Sequence, residues 1–282
     1  MSIELVWNLH CGTGENPLWD EAHQRLLFCD IPARQIHAFT PATAAQRSWT
    51  LPEVVGSFGL CASGRLIVAQ RHRVVFYDLD SETLTAFTDA VDEPPTNRLN
   101  DGKVAPDGSF WVGSMDENTP RRPTGHLYRV TPDGRITRMV SGLTISNGLA
   151  WSPDGRTMYH ADTPEGVVYA WDYHQGEIGN RRVFARLSEA QGRPDGGAVD
   201  AQGCYWSAGV SAGHLNRFAA DGTLTATIAL PTATPTMACF TPGWLYITSL
   251  RRAGVAADSP DGGLFRMPTH HVGTAIAAFP DL

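Results

Sequence analysis

The sequence predicts an all-β chain folded as a six-bladed β-propeller with a central metal-binding channel. Three observations predict it. A short apolar strand behind a Gly-containing turn recurs six times, each copy followed by a partner strand and another turn. The spacing of the copies stays in the forties. Four of the six copies set a carboxylate or amide at the same point ahead of the strand: Glu15, Asn100, Asn147 and Asp195. Residues at one repeat position of a closed ring converge on one axis, and converging oxygen donors make a metal site.

The repeated strands are RLLF (25–28), RLIV (65–68), SFWV (109–112), TMYH (157–160), CYWS (204–207) and WLYI (244–247). Their third residues, Leu27, Ile67, Trp111, Tyr159, Trp206 and Tyr246, stand 40, 44, 48, 47 and 40 apart. The partners are RQIHAFTP, HRVVFYDL, GHLYRVTPDG, GVVYAWDY, GHLNRFAADG and GGLFRMP. Between them lie APDG (105–108), TPDG (131–134), SPDG (152–155), DAQG (200–203) and AADG (219–222). Asp-Gly supplies the positive φ of a tight turn. A period in the forties made of short strands is that of propeller blades.

No Gly/Ser/Pro-rich run or charge block divides the 282 residues, so they read as one domain, 1–282. An open sheet edge invites aggregation, so the ring is expected to close. ELVW (4–7) and TAIAAF (274–279) are both strand-like, and both are expected in the last blade as its latch.

The net charge is −7, from 22 basic and 29 acidic residues, with no basic stripe; no nucleic-acid partner is expected. No stretch of about 18 apolar residues suggests a membrane span. MSIELVWNLH lacks a basic start and a small-residue cleavage site, so it does not read as a signal peptide. The five cysteines, Cys11, Cys29, Cys61, Cys204 and Cys239, are odd in number and form no C-x-x-C pair. They read as small buried apolar residues in a reducing, cytoplasmic compartment. The oligomeric state is not legible.

Glu15 stands 12 residues before Leu27, Asn100 11 before Trp111, Asn147 12 before Tyr159 and Asp195 11 before Trp206. The matching stretches of the other two copies, GSFGL (56–60) and PTMACF (235–240), are apolar or hydroxyl-bearing. Any one Asn or Asp in a loop reads as a turn residue; four in register do not. Two buried carboxylates close together repel unless a cation or shared proton compensates them. The all-oxygen set suits one divalent ion, of the hard class Ca²⁺, Mg²⁺ or Mn²⁺, with Zn²⁺ open. Few ligands leave open coordination positions, the property of a catalytic ion. None of the ten histidines has metal-ligand spacing. His270-His271 reads as surface, and His126 and His160 as structural or rim residues.

GTGENPLWD (12–20), RLNDGKVAPDGSFWVGSM (98–115), SNGLAWSPDG (146–155) and RPDGGAVDAQGCYW (193–206) resemble the SMP-30/gluconolactonase/regucalcin family, and ITSLRR (247–252) and GGLFRM (262–267) fit it. The resemblance spans the chain. It implies a six-bladed propeller with one divalent ion in its channel, and an enzyme that opens a small-molecule sugar lactone to the sugar acid. It implies that Glu15, Asn147 and Asp195 bind the metal, that Arg98 and Asn100 bind substrate with Asp101 beside them, and that Asp195 is the general acid/base. Two departures stand out. Asn16 occupies a position where the family often has Gly or Ser. The family's acidic, substrate-binding residue after G-[ST]-M falls on Asn118 by ungapped counting and on Glu117 with a one-residue slip.

The loop DENTPRRPTG (116–125), with Arg121 and Arg122, reads either as solvated or as a lid that sets substrate choice. Asp101-Gly102 reads equally as a turn pair, and Arg98 alternatively as a surface ion-pair residue. In the implied reaction the metal polarises the ring carbonyl or binds the attacking water, and Asp195 takes that water's proton and returns it to the leaving ring oxygen. If Asp195 is mainly a ligand, it and Glu15 only orient the water. G-x-S-x-G is absent, so no serine nucleophile is expected. Two other readings share the fold. A phosphotriesterase or aryl-lactonase type would want a more apolar pocket than Arg98, Asn100 and the polar loop suggest. A non-catalytic calcium-binding propeller would want a fuller oxygen cage, and a scaffold would not need ligands in register.

Overall fold

The structure is a computed structural model and describes residues 2–281. Twenty-four strands form six antiparallel four-stranded sheets, with one three-residue 3-10 turn at Thr163–Glu165. From the axis outward, blade 1 is Gly14–Asp20, Arg25–Asp30, Gln35–Thr40 and Ala45–Thr50. Blade 2 is Ser57–Leu60, Leu66–Ala69, Val74–Asp78 and Thr83–Ala86. Blade 3 is Asn97–Val104, Phe110–Asp116, Gly125–Val130 and Ile136–Leu143. Blade 4 is Ser146–Trp151, Thr157–Asp162, Val167–His174 and Glu177–Arg186. Blade 5 is Pro194–Val199, Tyr205–Gly209, His214–Phe218 and Leu224–Ala229. Blade 6 is Pro235–Thr241, Trp244–Ser249, Leu264–Pro268 and, as its outermost strand, Glu4–Trp7. The innermost strands pack against one another around the ring, blade 6 against blade 1 included.

The six repeated strands read from the sequence are therefore the second strands of their blades, not the channel-lining ones. The channel is lined by the segments just before them, which carry the register-matched oxygen donors themselves. Burial explains why the second strands, rather than the channel strands, stand out as the repeat. The second strands are buried on both faces and read as continuous apolar runs, whereas Gly14–Asp20 and Pro194–Val199 are buried yet polar or Gly-rich.

Six apolar clusters fill the spaces between neighbouring blades. One such cluster sets Leu27, Trp49 and Leu51 of blade 1 against Phe58, Val68 and Val75 of blade 2. Another sets Trp111 and Leu127 of blade 3 against Leu149, Trp151 and Tyr173 of blade 4. Each fully buried large side chain contributes roughly 1.5–3 kcal/mol relative to exposure, so the wedge between blades holds the ring. The Asp-Gly turns bear out their reading: Gly108, Gly134, Gly155 and Gly222 have φ between 65° and 86°, and Gly203 of the Gln-Gly turn has φ 81°.

The latch differs from expectation. Glu4–Trp7 closes blade 6 by pairing with Leu264–Pro268, but 274–279 forms no strand of that blade. It crosses the ring as a strap. Thr274 N–H donates to Val199 O (3.0 Å) in blade 5, and Phe279 N–H donates to Leu60 O (2.8 Å) in blade 2. Fully buried Phe279 plugs the apolar cluster between blades 2 and 3, and Asp281 pairs with Arg65 at 2.7 Å. The strap's apolar residues are spaced for a strand, but the sheet edge it was expected to cover is already taken by the N-terminus.

Among the described residues no helix is long and apolar enough to cross a membrane. All five cysteines are free and buried. His160 is buried against Ser146 Oγ (2.8 Å), and His126 meets the buried Glu93 carboxylate at 2.9 Å. His270 is exposed; His271 instead lies half-buried against the Trp206 ring, 5.3 Å between centroids.

Candidate functional site

Five of the six innermost strands break register at the same height, between Glu15 and Leu18, Leu99 and Gly102, Asn147 and Ala150, Pro194 and Gly197, and Pro235 and Met237. Blade 2 pairs without a break. A bulge inserts a residue, bends the strand and re-aims its side chains. The bulges bring Glu15, Asn100, Asp101, Asn147 and Asp195 to one mouth of the channel, all of them buried. Two bulges need the left-handed conformation. Gly148 (φ 70°) has Tyr205 Oη 2.6 Å from where a Cβ would stand, so only glycine fits. Its counterpart in blade 1 is Asn16 (φ 53°), whose Nδ2 donates to Phe58 O at 3.0 Å and whose backbone N–H donates to Glu15 Oε2 at 2.9 Å. Asparagine tolerates this backbone better than most residues, and here its side chain also ties blade 1 to blade 2.

A directed chain of hydrogen bonds crosses three blades. Arg98 Nη1 donates to Asn100 Oδ1 (2.7 Å), and Asn100 Nδ2 donates to Asn147 Oδ1 (2.9 Å). Asn147 Nδ2 donates to Thr163 Oγ1 (2.8 Å), and the Thr163 hydroxyl donates to Pro194 O (2.8 Å). The chain fixes which way each amide faces. Asn100 has its carbonyl on Arg98 and its amide on Asn147 and Ser146 O, and its Oδ1 keeps one lone pair beyond the bond from Arg98. Asn147 keeps a second lone pair on Oδ1.

The acidic groups are strained by each other. Burial, then Asp195 and Asp101, push the Glu15 carboxyl well above its ordinary range. Burial and Asp101 do the same to Asp195, against the pull of Arg98 and Arg193. Asp101 is raised by burial, opposed first by Lys103 and then by backbone N–H groups such as that of Leu149, which donates to Oδ2 at 3.0 Å. Asp101 is thus part of a strand bulge rather than a turn pair. Lys103, itself pushed down by burial, donates to Gly197 O at 2.8 Å.

Arg98 is buried rather than a surface residue, with Nε 3.3 Å from Glu117 Oε1. Glu117 Oε2 also takes Arg71 Nη1 at 2.6 Å. Asn118 turns away: its N–H and Nδ2 both donate to Asp116 Oδ1. Of the two candidates for the acidic position, Glu117 is the one beside Arg98.

Asp195 makes no hydrogen bond through its carboxylate with any described residue, and Glu15 makes only the one to Asn16 N–H. Two buried acids short of donors, beside an oriented amide oxygen, fit a hard cation. Among the described residues no three His, Cys, Asp or Glu side chains gather as an ion site. An ion between Glu15 and Asp195 would therefore take a neutral oxygen as a third protein donor, and the amide oxygens of Asn147 and Asn100 each keep a lone pair there. Two cavities, of about 390 and about 760 Å³, are bordered by the strap around Gly273–Ala277, and the smaller is the strap end of the channel itself, walled by Leu18, Lys103, Ala150, Ala198 and Ala238. None of Glu15, Asn147 or Asp195 lines them.

Thr163 and Lys103 escaped the sequence reading. Thr163 precedes a proline just past a second strand and carries no spacing signal. Lys103 stood inside a recognised motif, but nothing in the pattern said that it points inward.

A family model for the SMP-30/gluconolactonase/LRE-like region matches residues 13–251. The 6-deoxy-6-sulfogluconolactonase of Pseudomonas putida is 37% identical over 254 residues, covering 88% of this chain and 87% of the relative. The L-arabinolactonase of Azospirillum brasilense is 34% identical over 275 residues, covering 94% and 91%. In three dimensions the chain is similar to regucalcin, a calcium-binding protein of Agrobacterium tumefaciens, with a TM-score of 0.90 at 24% identity, covering 99% and 96%.

Proposed function

Because the chain belongs to the SMP-30/gluconolactonase/LRE-like family, we propose that it is a sugar lactonase whose water attack is assisted by one divalent cation held by Glu15, Asn147 and Asp195. The observation that carries the reading is the Asp195 carboxylate, buried and without a hydrogen-bond donor, on the same rim as Glu15 and a locked Asn147 oxygen. The relatives named as lactonases support the reaction class, and the donor set supports a hard ion. Bound there, the cation polarises the lactone carbonyl or lowers the pKa of a water.

The chain's own residues divide the remaining work. Asp195 accepts the proton of the attacking water and returns it to the ring oxygen as the C–O bond breaks, giving the hydroxy acid. Glu15 orients that water. Arg98 donates to substrate oxygens, in the fixed orientation set by Asn100 and Glu117. Asn100, with both amide hydrogens committed to Ser146 O and Asn147 Oδ1, meets the substrate through the remaining lone pair of its Oδ1, accepting from a hydroxyl. Glu117, partly exposed beside Arg98, accepts from a sugar hydroxyl. Asn118 has no such role, being committed to Asp116. Half-buried Lys103, bonded to Gly197 O, offsets the Asp101 charge from beneath the site without pairing with it.

The test follows acid release from pentono-, hexono- and aryl-lactones with a pH indicator. Activity is expected to vanish on chelation and to return with one divalent ion. Asp195→Ala is expected to lose at least about a hundredfold in kcat, the lower range for a lost general base. Undiminished activity in that variant would refute the mechanism.

A further inference from the structure

Blade 2 pairs its innermost strand without a bulge and offers the site no carboxylate or amide from that strand. Its hairpin turn is nevertheless fastened to the part of blade 3 that carries Arg98. The turn, 70–73, joins Leu66–Ala69 to Val74–Asp78 and is closed by Gln70 N–H donating to Arg73 O at 2.9 Å. Arg71 O accepts from Leu99 N–H at 2.8 Å. His72 Nε2 and Arg71 Nη1 both donate to Asn97 O, at 2.8 and 3.4 Å. Asn97 and Leu99 flank Arg98, so the turn is zipped to blade 3 on both sides of it.

From this anchored turn Arg71 reaches Glu117. Glu117 Oε2 takes Arg71 Nη1 at 2.6 Å and Oε1 takes Arg98 Nε at 3.3 Å, so cations from two blades hold the carboxylate at both oxygens. The backbone is fixed as well: Glu117 N–H donates to Thr96 O at 2.9 Å. The far end of its loop is tied by Asn97 Nδ2 donating to Thr124 O at 3.1 Å. The freedom left to Glu117 is rotation of its side chain. Arg98 meets one oxygen through one nitrogen, and the carboxylate can pivot about that contact. Arg71 removes the pivot. Each carboxylate oxygen keeps a second lone pair, and the Arg71 and Glu117 side chains are each 38% exposed, so the fixed acceptor stays accessible to a ligand.

Stability is not what this contact supplies, because water and salt screen an ion pair so open. Orientation is another matter. Immobilising a free glutamate side chain on binding costs rotamer freedom equivalent to roughly tenfold in affinity, and a carboxylate fixed beforehand has already lost that freedom.

We propose that Arg71 is a positioning residue for substrate recognition: with Arg98 it holds the Glu117 carboxylate in the orientation that accepts a sugar hydroxyl. Blade 2 thereby contributes to specificity without touching the reacting atoms. The proposal rests on the lactonase reading and on the place of Glu117 in it.

The test measures opening of pentono- and hexono-lactones with calcium or manganese present. A parallel calorimetric titration uses the matching sugar alcohols, which carry the hydroxyls but no bond to open. Arg71→Gln is expected to raise KM about tenfold with kcat changed less than about twofold, the pattern of binding lost equally from ground and transition states. It is expected to weaken the sugar alcohol by a similar factor, while Tm moves by less than about 4 °C. In a Glu117→Ala background the same change is expected to alter KM and binding less than about twofold, because the group that Arg71 orients is gone. Arg71→Lys keeps a charge for the single nitrogen–oxygen contact and is expected to bring KM back to within about threefold of the parent. An effect of equal size with and without the Glu117 carboxylate, or a loss confined to kcat, overturns the proposal. Lactone opening indifferent to Arg71→Gln overturns it while leaving the lactonase reading intact. Coupled Arg71–Glu117 binding of the sugar alcohol, with no lactone opened, overturns the lactonase reading and leaves the positioning role standing. Neither lactone opening nor sugar-alcohol binding overturns both.

Discussion

Replacing Thr163 by valine tests whether the hydrogen-bond chain, rather than the ligands alone, builds the site. The change is nearly isosteric and removes only the hydroxyl. Thr163 Oγ1 accepts from Asn147 Nδ2 and donates to Pro194 O, each at 2.8 Å. Both partners are buried, so two groups are left unpaired at about 1–3 kcal/mol each, and a loss of about 2–6 kcal/mol is expected. At about 2–4 °C per kcal/mol for a chain of this size, Tm should fall by about 4–24 °C. The functional effect is separate. Without the hydroxyl, the Asn147 amide is held on one side only, by Asn100 Nδ2 donating to its Oδ1. Affinity for the divalent ion should fall about 10- to 100-fold, as for other lost outer partners of metal ligands. Calorimetric titration with calcium and with manganese reads this directly, and Thr163→Ser, which keeps the hydroxyl, should retain near-normal affinity. If Thr163→Val loses stability but binds the ion as tightly as the parent, Asn147 is not an oriented ligand and the reasoning fails.

Three further outcomes are expected. Asn16→Ala should lose about 2–4 kcal/mol, from the left-handed backbone at φ 53° and the unpaired Phe58 carbonyl, whereas Asn16→Gly should lose only about 1–2 kcal/mol. Equal losses by chemical denaturation would show that the backbone strain is not there. His37, buried against Trp7 and Phe28, has its pKa lowered from 6.5 to about 4 by burial. Its contribution is complete above pH 6.5 and is lost as pH falls toward 4, because the unfolded chain takes the proton first; about 2 kcal/mol is gone at pH 5. His37→Phe should flatten the stability profile over that window, and an unchanged slope would assign it to other groups. Phe279→Ala should cost about 3–5 kcal/mol, since the ring is fully buried between blades 2 and 3. A loss below about 1 kcal/mol would mean that the strap end is not docked in solution.

The repeat, the sixfold count, the Asp-Gly turns and the positions of Glu15, Asn100, Asn147 and Asp195 were all legible in the chain. They rest on local rules: apolar runs, turn chemistry and a spacing that recurs. The strand assignment within the blade was not legible, because a strand buried on both faces announces itself by apolar content. The channel strand spends its side chains on donors and its glycines on close approach, as at Gly148 under Tyr205. The direction of the 274–279 strap was not legible either. Period and propensity mark it as strand-like, but whether it pairs depends on which edge is still vacant, and Glu4–Trp7 occupies that edge.

By itself, the sequence determined a ring of six similar units and which four of them bring oxygen donors to its axis. Only the tertiary structure decided how those donors face. Bulge geometry aims Glu15 and Asp195, the Thr163 hydroxyl turns Asn147, and contact with Arg98 singles out Glu117 over Asn118. The physical reason is that periodicity records which residues share a height in the ring. Orientation depends on hydrogen-bond partners dozens of residues away, and no local pattern encodes them.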